Sequence, residues 1–267
     1  MTPPCPASGI VTLTTDFGLG SPYVAAMKGV ILTLNPKALI VDLTHAIRPQ
    51  DITAGAWALA EVADRFPPGT VHVAVVDPGV GTERRILHAQ VGDWQFVGPD
   101  NGLISRLALR YEVFRMIALE EPRFWLPRVS ATFHGRDIMA PVAARLAAGL
   151  DPSLLGSPVD DFVRLAWPEV LILPGKIQGS IASIDSFGNL ISDITAEMLV
   201  DTPTDERVQI VCDEHETQGI FRTYADQPPM TLVALVGSSG NLELAIIGDS
   251  AELMLGVKRG TPITVRW

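Results

Sequence analysis

The chain of 267 residues is short of several things, and each shortage removes a class of function. It has two cysteines, Cys5 and Cys212, far apart and without metal-ligand spacing. A disulfide scaffold is not expected; a tail thiol and a small buried hydrophobe in a reducing, cytoplasmic compartment are. Positive charge is scarce: 20 Lys and Arg face 30 Asp and Glu, a formal net charge of −10. Nothing here neutralises a run of phosphates, so no nucleic-acid partner is expected. Aromatics are few, and the five tryptophans show no cage-like clustering. No apolar run reaches membrane-spanning length, so no membrane partner is expected. The start, Met1-Thr-Pro-Pro-Cys-Pro, has neither the charged nor the apolar region of a secretory signal. His-x-His, His-Glu-x-x-His and Gly-Lys-Ser/Thr patterns are all missing, so no metal or phosphate-loop motif stands out.

What the chain does have is 47% hydrophobic residues, enough for one large core or two unequal domains. The stretch 73–85, Val-Ala-Val-Val-Asp-Pro-Gly-Val-Gly-Thr-Glu-Arg-Arg, organises the rest. It begins as a buried parallel strand and stops at Asp77. Pro78, Gly79 and Gly81 then force a tight turn, and Arg84 follows seven residues after Asp77. A carboxylate at the C-terminal end of a strand, above a Gly-rich loop, is where open α/β sheets bind ligands. The bland alternative is a solvated strand end with surface arginines.

Taken in order, residues 9–14 read as a first strand ending near Asp16. Ser21 is expected to cap a helix whose inward face is Val24, Met27, Val30, Ile31 and Leu34. Residues 38–43 form a second strand ending at Thr44-His45, and Asp51 caps a second helix. With the strand into Asp77 this makes β-α-β-α-β, hence a parallel sheet with right-handed crossovers. Asp16, His45 and Asp77 then share one rim. Beyond Arg85, residues 86–91 and 94–97 flank Gly92-Asp93 as a hairpin. Residues 103–109 read as a short helix, 111–118 as a strand and 138–148 as a helix. Residues 149–168 read as a linker, giving an α/β domain at 1–165 and a smaller all-β, barrel-like domain at 166–267. Six short runs in the latter, from 175–185 to 261–267, alternate with turn residues as strands of an antiparallel barrel or sandwich.

Several polar residues are candidates for chemistry. Asp16, Asp77, Arg84 and His134 form a plausible water-ordering cluster: carboxylate and imidazole take protons, and a guanidinium stabilises hydroxide. A metal site from Asp16, His45, Asp77 and His134 is the weaker reading, for want of ligand spacing. Gly18-Leu19-Gly20 is only part of a dinucleotide fingerprint. His72, His88 and His215 read as structural or solvated.

Seven motifs occur in order: Thr14-Thr15-Asp16-Phe17-Gly18, Met27-Lys28-Gly29-Val30, Val76-Asp77-Pro78-Gly79-Val80-Gly81-Thr82, Pro99-Asp100-Asn101-Gly102, Phe133-His134-Gly135-Arg136-Asp137, Phe187-Gly188-Asn189 and Ser238-Ser239-Gly240-x-Leu242-Glu243. Together they resemble the S-adenosylmethionine (SAM) hydrolases, or SAM hydroxide adenosyltransferases, relatives of the fluorinases and chlorinases. The resemblance spans nearly the whole chain. It implies an α/β domain followed by a β-barrel-like domain, and a homotrimer with active sites at subunit interfaces. It also implies attack of water or hydroxide on the ribose 5′ carbon of SAM, giving adenosine and L-methionine, with no metal or redox cofactor.

By the same resemblance Asp77, Arg84 and His134 match the trio that holds the water. Arg84 would favour hydroxide, while Asp77 and His134 would orient it and accept its proton. Asp16 would grip the ribose hydroxyls, Asn189, Ser238 and Glu243 would meet the adenosine and methionine ends, and backbone near Ile246 would meet the adenine edge. The halide enzymes carry a tyrosine at the position of Asp77 and lack the histidine of position 134, which favours hydrolase over halogenase. The chain departs from the family at Ser21, where an aspartate is usual, at Ile247, where an asparagine is common, and at Leu190-Ile-Ser-Asp, which replaces the usual Thr-Asn ending. A halogenase-like enzyme and a non-catalytic adenosine- or SAM-binding protein are the alternatives.

Overall fold

The computed structural model describes residues 5–267. The chain divides into two compact units, one running to Leu165 and the other Ala166–Trp267. No helix among the described residues is long and apolar enough to cross a membrane.

The first unit opens with β1 (Ile10–Thr15), α1 (Tyr23–Leu34), β2 (Leu39–Thr44), α2 (Ile52–Val62) and β3 (Val71–Val75). The hairpin β4 (Ile86–Val91) and β5 (Trp94–Pro99) follows, then β6 (Val113–Ala118) and α3 (Ala140–Ala147). The sheet order is β2-β1-β3-β5-β4-β6. The pairs β1–β2, β1–β3 and β3–β5 are parallel, whereas β4 runs antiparallel to β5 and β6. The expected parallel sheet is thus present, extended into a mixed sheet by the hairpin. Gly92, at φ +54°, supplies the left-handed residue of that hairpin's turn.

Side-chain alternation along β3 divides the core. Val71, Val73 and Val75 face α1 and α3, while Ala74 and Val76 pack with Leu59, Ala60 and Ala63 from α2 and its end. Helices therefore cover both faces, as strands apolar on both sides require. Asp51 caps α2 by accepting from Ala54 N–H at 2.9 Å, as expected. Three expectations fail in detail. Pro22, not Ser21, is the cap of α1, and the Ser21 hydroxyl accepts from Tyr23 N–H at 3.2 Å; Leu34 is exposed instead of facing inward. Residues 103–109 form turns ending in a single 3-10 turn, Leu107–Leu109. Ser105 Oγ donates to Gly102 O at 2.6 Å there, competing with a helical ladder too short to nucleate.

The second unit contains β7 (Leu171–Leu173), β8 (Lys176–Ile184), β9 (Leu190–Thr195), β10 (Gln209–Cys212), β11 (His215–Gln218), β12 (Leu232–Val236), β13 (Asn241–Ile246), α4 (Ala251–Leu255) and β14 (Pro262–Arg266). All pairings are antiparallel, in the order β11-β10-β14-β8-β9-β13-β12, with β7 on β8. Thr217 Oγ1 on β11 donates to Leu232 O on β12 at 2.8 Å, so the two ends of the path meet and the sheet nearly closes. The barrel-like form follows from that closure, which also protects edges. The short elements β7, β11 and α4 were not anticipated from the sequence.

Candidate active site

The strand order β2-β1-β3 places a topological switch point between β1 and β3, because one crossover leaves β1 to one side and the chain returns on the other. Thr15 is in register with Val75, so Asp16 and Asp77 leave neighbouring strand ends at that point. Asp77 starts a chain of turns: Val80 N–H donates to Asp77 O at 3.2 Å, and Thr82 N–H to Gly79 O at 3.1 Å. Thr82 Oγ1 then accepts from Arg84 N–H at 3.3 Å. These turns bring Arg84 back onto Asp77. Arg84 Nε donates to Asp77 Oδ1 at 2.8 Å, and Nη2 donates to Asp77 Oδ2, a bidentate pair. The side chains are only 11% and 5% exposed, so water screens this pair little.

His134 reaches the same guanidinium from another loop. Its Nδ1 lies 3.0 Å from Arg84 Nη2. A guanidinium can only donate, so His134 Nδ1 accepts, and the neutral ring carries its proton on Nε2. Burial and the Arg84 charge, opposed by Asp77 and Asp137, hold the imidazole below its ordinary 6.5. The depressed value means that folding favours the neutral ring. Its contribution to stability is complete above pH 6.5 and is lost as pH falls through the folded-state value. Stability is accordingly expected to decline on the acid side of 6.5, and His134→Gln, an acceptor that does not titrate, to flatten that decline. An imidazole NMR titration placing His134 above 6.5 would contradict the Arg84 contact.

Local structure positions His134. It precedes a π-helical turn, Gly135–Met139, that runs into α3; such turns are frequent at functional sites. Fully buried Asp137 accepts from Ser130 N–H at 2.8 Å and from Arg136 Nε at 2.6 Å, and its carbonyl accepts from Leu126 N–H at 2.9 Å. The 126–134 segment is thereby folded over the π-turn. Gly81, at φ +81°, lets the Asp77–Arg84 loop touch this segment, since a Cβ there would lie 2.4 Å from Ala131 O. Phe133 packs edge-on against Phe17 and Tyr23, joining the loop after Asp16 to the His134 segment.

Asp16 Oδ2 accepts from Gln50 N–H at 2.8 Å. Gln50 has φ +68°, a left-handed conformation that a non-glycine rarely adopts. No sequence signal marked Gln50, because the strain exists only in the folded loop. His45 is drawn away from the trio: its Nδ1 lies 2.9 Å from Thr15 Oγ1 and its Nε2 3.1 Å from Asp42 Oδ1. Among the described residues no group of three or more His, Cys, Asp or Glu is arranged to hold a metal ion. His72, His88 and His215 bond to Thr12, Gln95 and the Leu255 carbonyl.

The remaining candidates belong to the second unit. Asn189 Nδ2 donates to Asp185 Oδ2 at 2.9 Å, and Asp185 Oδ1 accepts from Phe187 and Asn189 N–H. Ser238 is exposed in the turn between β12 and β13. Glu243 is buried on β13, and Tyr224, which the sequence reading missed, donates its hydroxyl to Glu243 Oε1. Ile246 ends β13, and its carbonyl accepts from Asp249 N–H at 3.1 Å.

Two family models match the chain: the SAM hydroxide adenosyltransferase N-terminal domain over residues 11–156 and the C-terminal domain over 179–264. The chain belongs to the SAM hydroxide adenosyltransferase family. It is 41% identical to the (R)-S-adenosyl-L-methionine hydrolase of Thermus thermophilus, over 95% of this chain and 98% of that one. A fluorinase of Nocardia brasiliensis is more distant, 26% identical over 96% of each chain. A crystal structure of an uncharacterized conserved protein from Thermotoga maritima matches with a TM-score of 0.92 and 33% identity, over 97% of this chain and 100% of that one. Within the N-terminal domain, Asp77, Arg84 and His134 form one contiguous cluster. Asn189, Ser238, Glu243 and Ile246 belong to the C-terminal domain.

Proposed function

We propose that this chain hydrolyses SAM to adenosine and L-methionine by attack of water or hydroxide on the ribose 5′ carbon. The observation that carries the proposal is the guanidinium of Arg84 joining Asp77 and His134, in a chain 41% identical to a named SAM hydrolase. The sulfonium needs no acid to leave: as the oxygen–C5′ bond forms, the C5′–S bond breaks and its electron pair neutralises sulfur. The difficulty is holding a desolvated nucleophile in line. In this reading Arg84 attracts hydroxide character, and His134 Nε2–H orients the oxygen. Asp77, with lone pairs beyond those that Arg84 uses, takes the proton. Asp16, steadied by Gln50 N–H, meets the ribose hydroxyls.

A carboxylate at position 77 repels halide, which favours water over a halogenase-like reaction. We also propose that the reaction needs no metal or cofactor, and that the active form is a homotrimer with active sites at subunit interfaces. Two free cysteines fit a reducing cytoplasm. The test is to incubate the purified chain with SAM, with and without chloride, after chelator treatment, and to separate the products. Adenosine and methionine, independent of chloride and chelator, are expected. A 5′-chloro-5′-deoxyadenosine product would replace hydrolysis by halogenation, and bound adenosine without turnover would leave only a binding protein.

A further inference from the structure

A carboxylate buried within a barrel wall needs a donor, and here the donor comes from a residue outside every motif. Glu243 is 5% exposed on β13. Tyr224 stands in the 3-10 turn Tyr224–Asp226 and donates its hydroxyl to Glu243 Oε1. The turn is built to hold that ring in place. Thr223 and Asp226 form a reciprocal capping box, and Asp226 Oδ2 accepts from Arg222 N–H at 3.0 Å and Thr223 N–H at 3.1 Å. Phe221 N–H donates to Ala234 O at 2.8 Å, anchoring the segment to β12. The second carboxylate oxygen, Oε2, lies over Gly237, where an added Cβ would come within 2.0 Å of it. A side chain at 237 would therefore displace Oε2 from this position.

We propose that Tyr224 is a positioning residue for substrate binding: by holding Oε1 it fixes the Glu243 carboxylate and turns Oε2 toward the cationic end of the substrate. The proposal rests on the reading that Glu243 meets SAM. The groups around Glu243 show why a donor matters. Burial raises its carboxyl above the ordinary range, the Tyr224 hydroxyl lowers it, and the negative Asp185 raises it further. The residues opposite it on β12 and β9, Leu235 and Ile191, are apolar. With Tyr224 removed, the remaining named influences, burial and Asp185, both favour the neutral acid, which would no longer attract a cation.

Tyr224→Phe keeps the ring and deletes only the donor. KM for SAM, measured between about pH 5 and pH 9, is expected to rise about tenfold near pH 6 and to approach the wild-type value as pH rises. The acid limb of KM should move to higher pH, while kcat stays within about twofold, because the proposed water-holding trio is untouched. An equal rise of KM at every pH would show a merely structural role and overturn the proposal, as would an unchanged profile. A carboxyl NMR titration of Glu243 in both proteins separates this result from the parent reading. If the wild type does not turn over SAM, hydrolysis fails, yet a higher Glu243 value in Tyr224→Phe still supports the pairing. An identical Glu243 titration in the two proteins rejects it whatever the activity.

Discussion

Asp77→Asn is expected to lower kcat by about 100- to 10,000-fold, the range for removing a general base. The amide keeps the shape of the side chain but loses the charge that pairs with Arg84 and the basicity that the proposed reaction needs. KM should change far less, because in the proposed reaction Asp77 meets the attacking water and not the bulk of the substrate. Stability should fall as well. Arg84 is 11% exposed, so its guanidinium would stay in a partly dry site without a counter-charge. Breaking a buried pair from one side costs about 3–5 kcal/mol. Steady-state kinetics together with denaturant unfolding read both effects. Full turnover in the variant would remove Asp77 from the mechanism.

Asp137→Ala is expected to lower stability by about 1–3 kcal/mol, the cost of leaving its donors unsatisfied, because Arg136 is 35% exposed and can turn to water. Its carboxylate is fully buried and accepts from Ser130 N–H and from two nitrogens of Arg136. Deleting it leaves the Ser130 amide and the Arg136 guanidinium without this acceptor, and it frees the 126–134 segment from the π-turn. His134 would then lose its fixed approach to Arg84, so turnover should fall with stability. Asp137→Asn retains an acceptor for Ser130 and should lie between the two. A shift of less than about 1 kcal/mol in the alanine variant would show that the segment is held by its aromatic packing on Phe17 and Tyr23 instead.

The readable parts of the fold were those whose signals are local. Buried parallel strands are continuous apolar runs, so β1 and β3 were visible, and so was the Asp that ends each run or follows it. Gly92-Asp93 between two β-rich runs announced the hairpin, and Asp51 announced the start of α2. The unreadable parts were those where short segments took their state from neighbours. Residues 103–109 had a helical look but became turns once Leu103, Ile104 and Leu107 were buried and Ser105 bonded back to Gly102. The strands β7 and β11 and the helix α4 are too short for propensity to decide.

The sequence by itself determined the α/β and barrel-like classes and the family, through seven ordered motifs. It also placed Asp77 and Arg84 seven residues apart across a turn-forming run, a spacing that turn geometry alone can close. Only the tertiary structure decided that His134, fifty residues beyond Arg84, accepts from the same guanidinium. It alone put Gln50 in the left-handed region to hold Asp16, and brought Tyr224 onto Glu243. The physical reason is the range of the interactions. Turns and apolar periodicity act over a few residues. A hydrogen bond between distant residues depends on where packing sets down two loops, and the pattern of either loop does not carry that information.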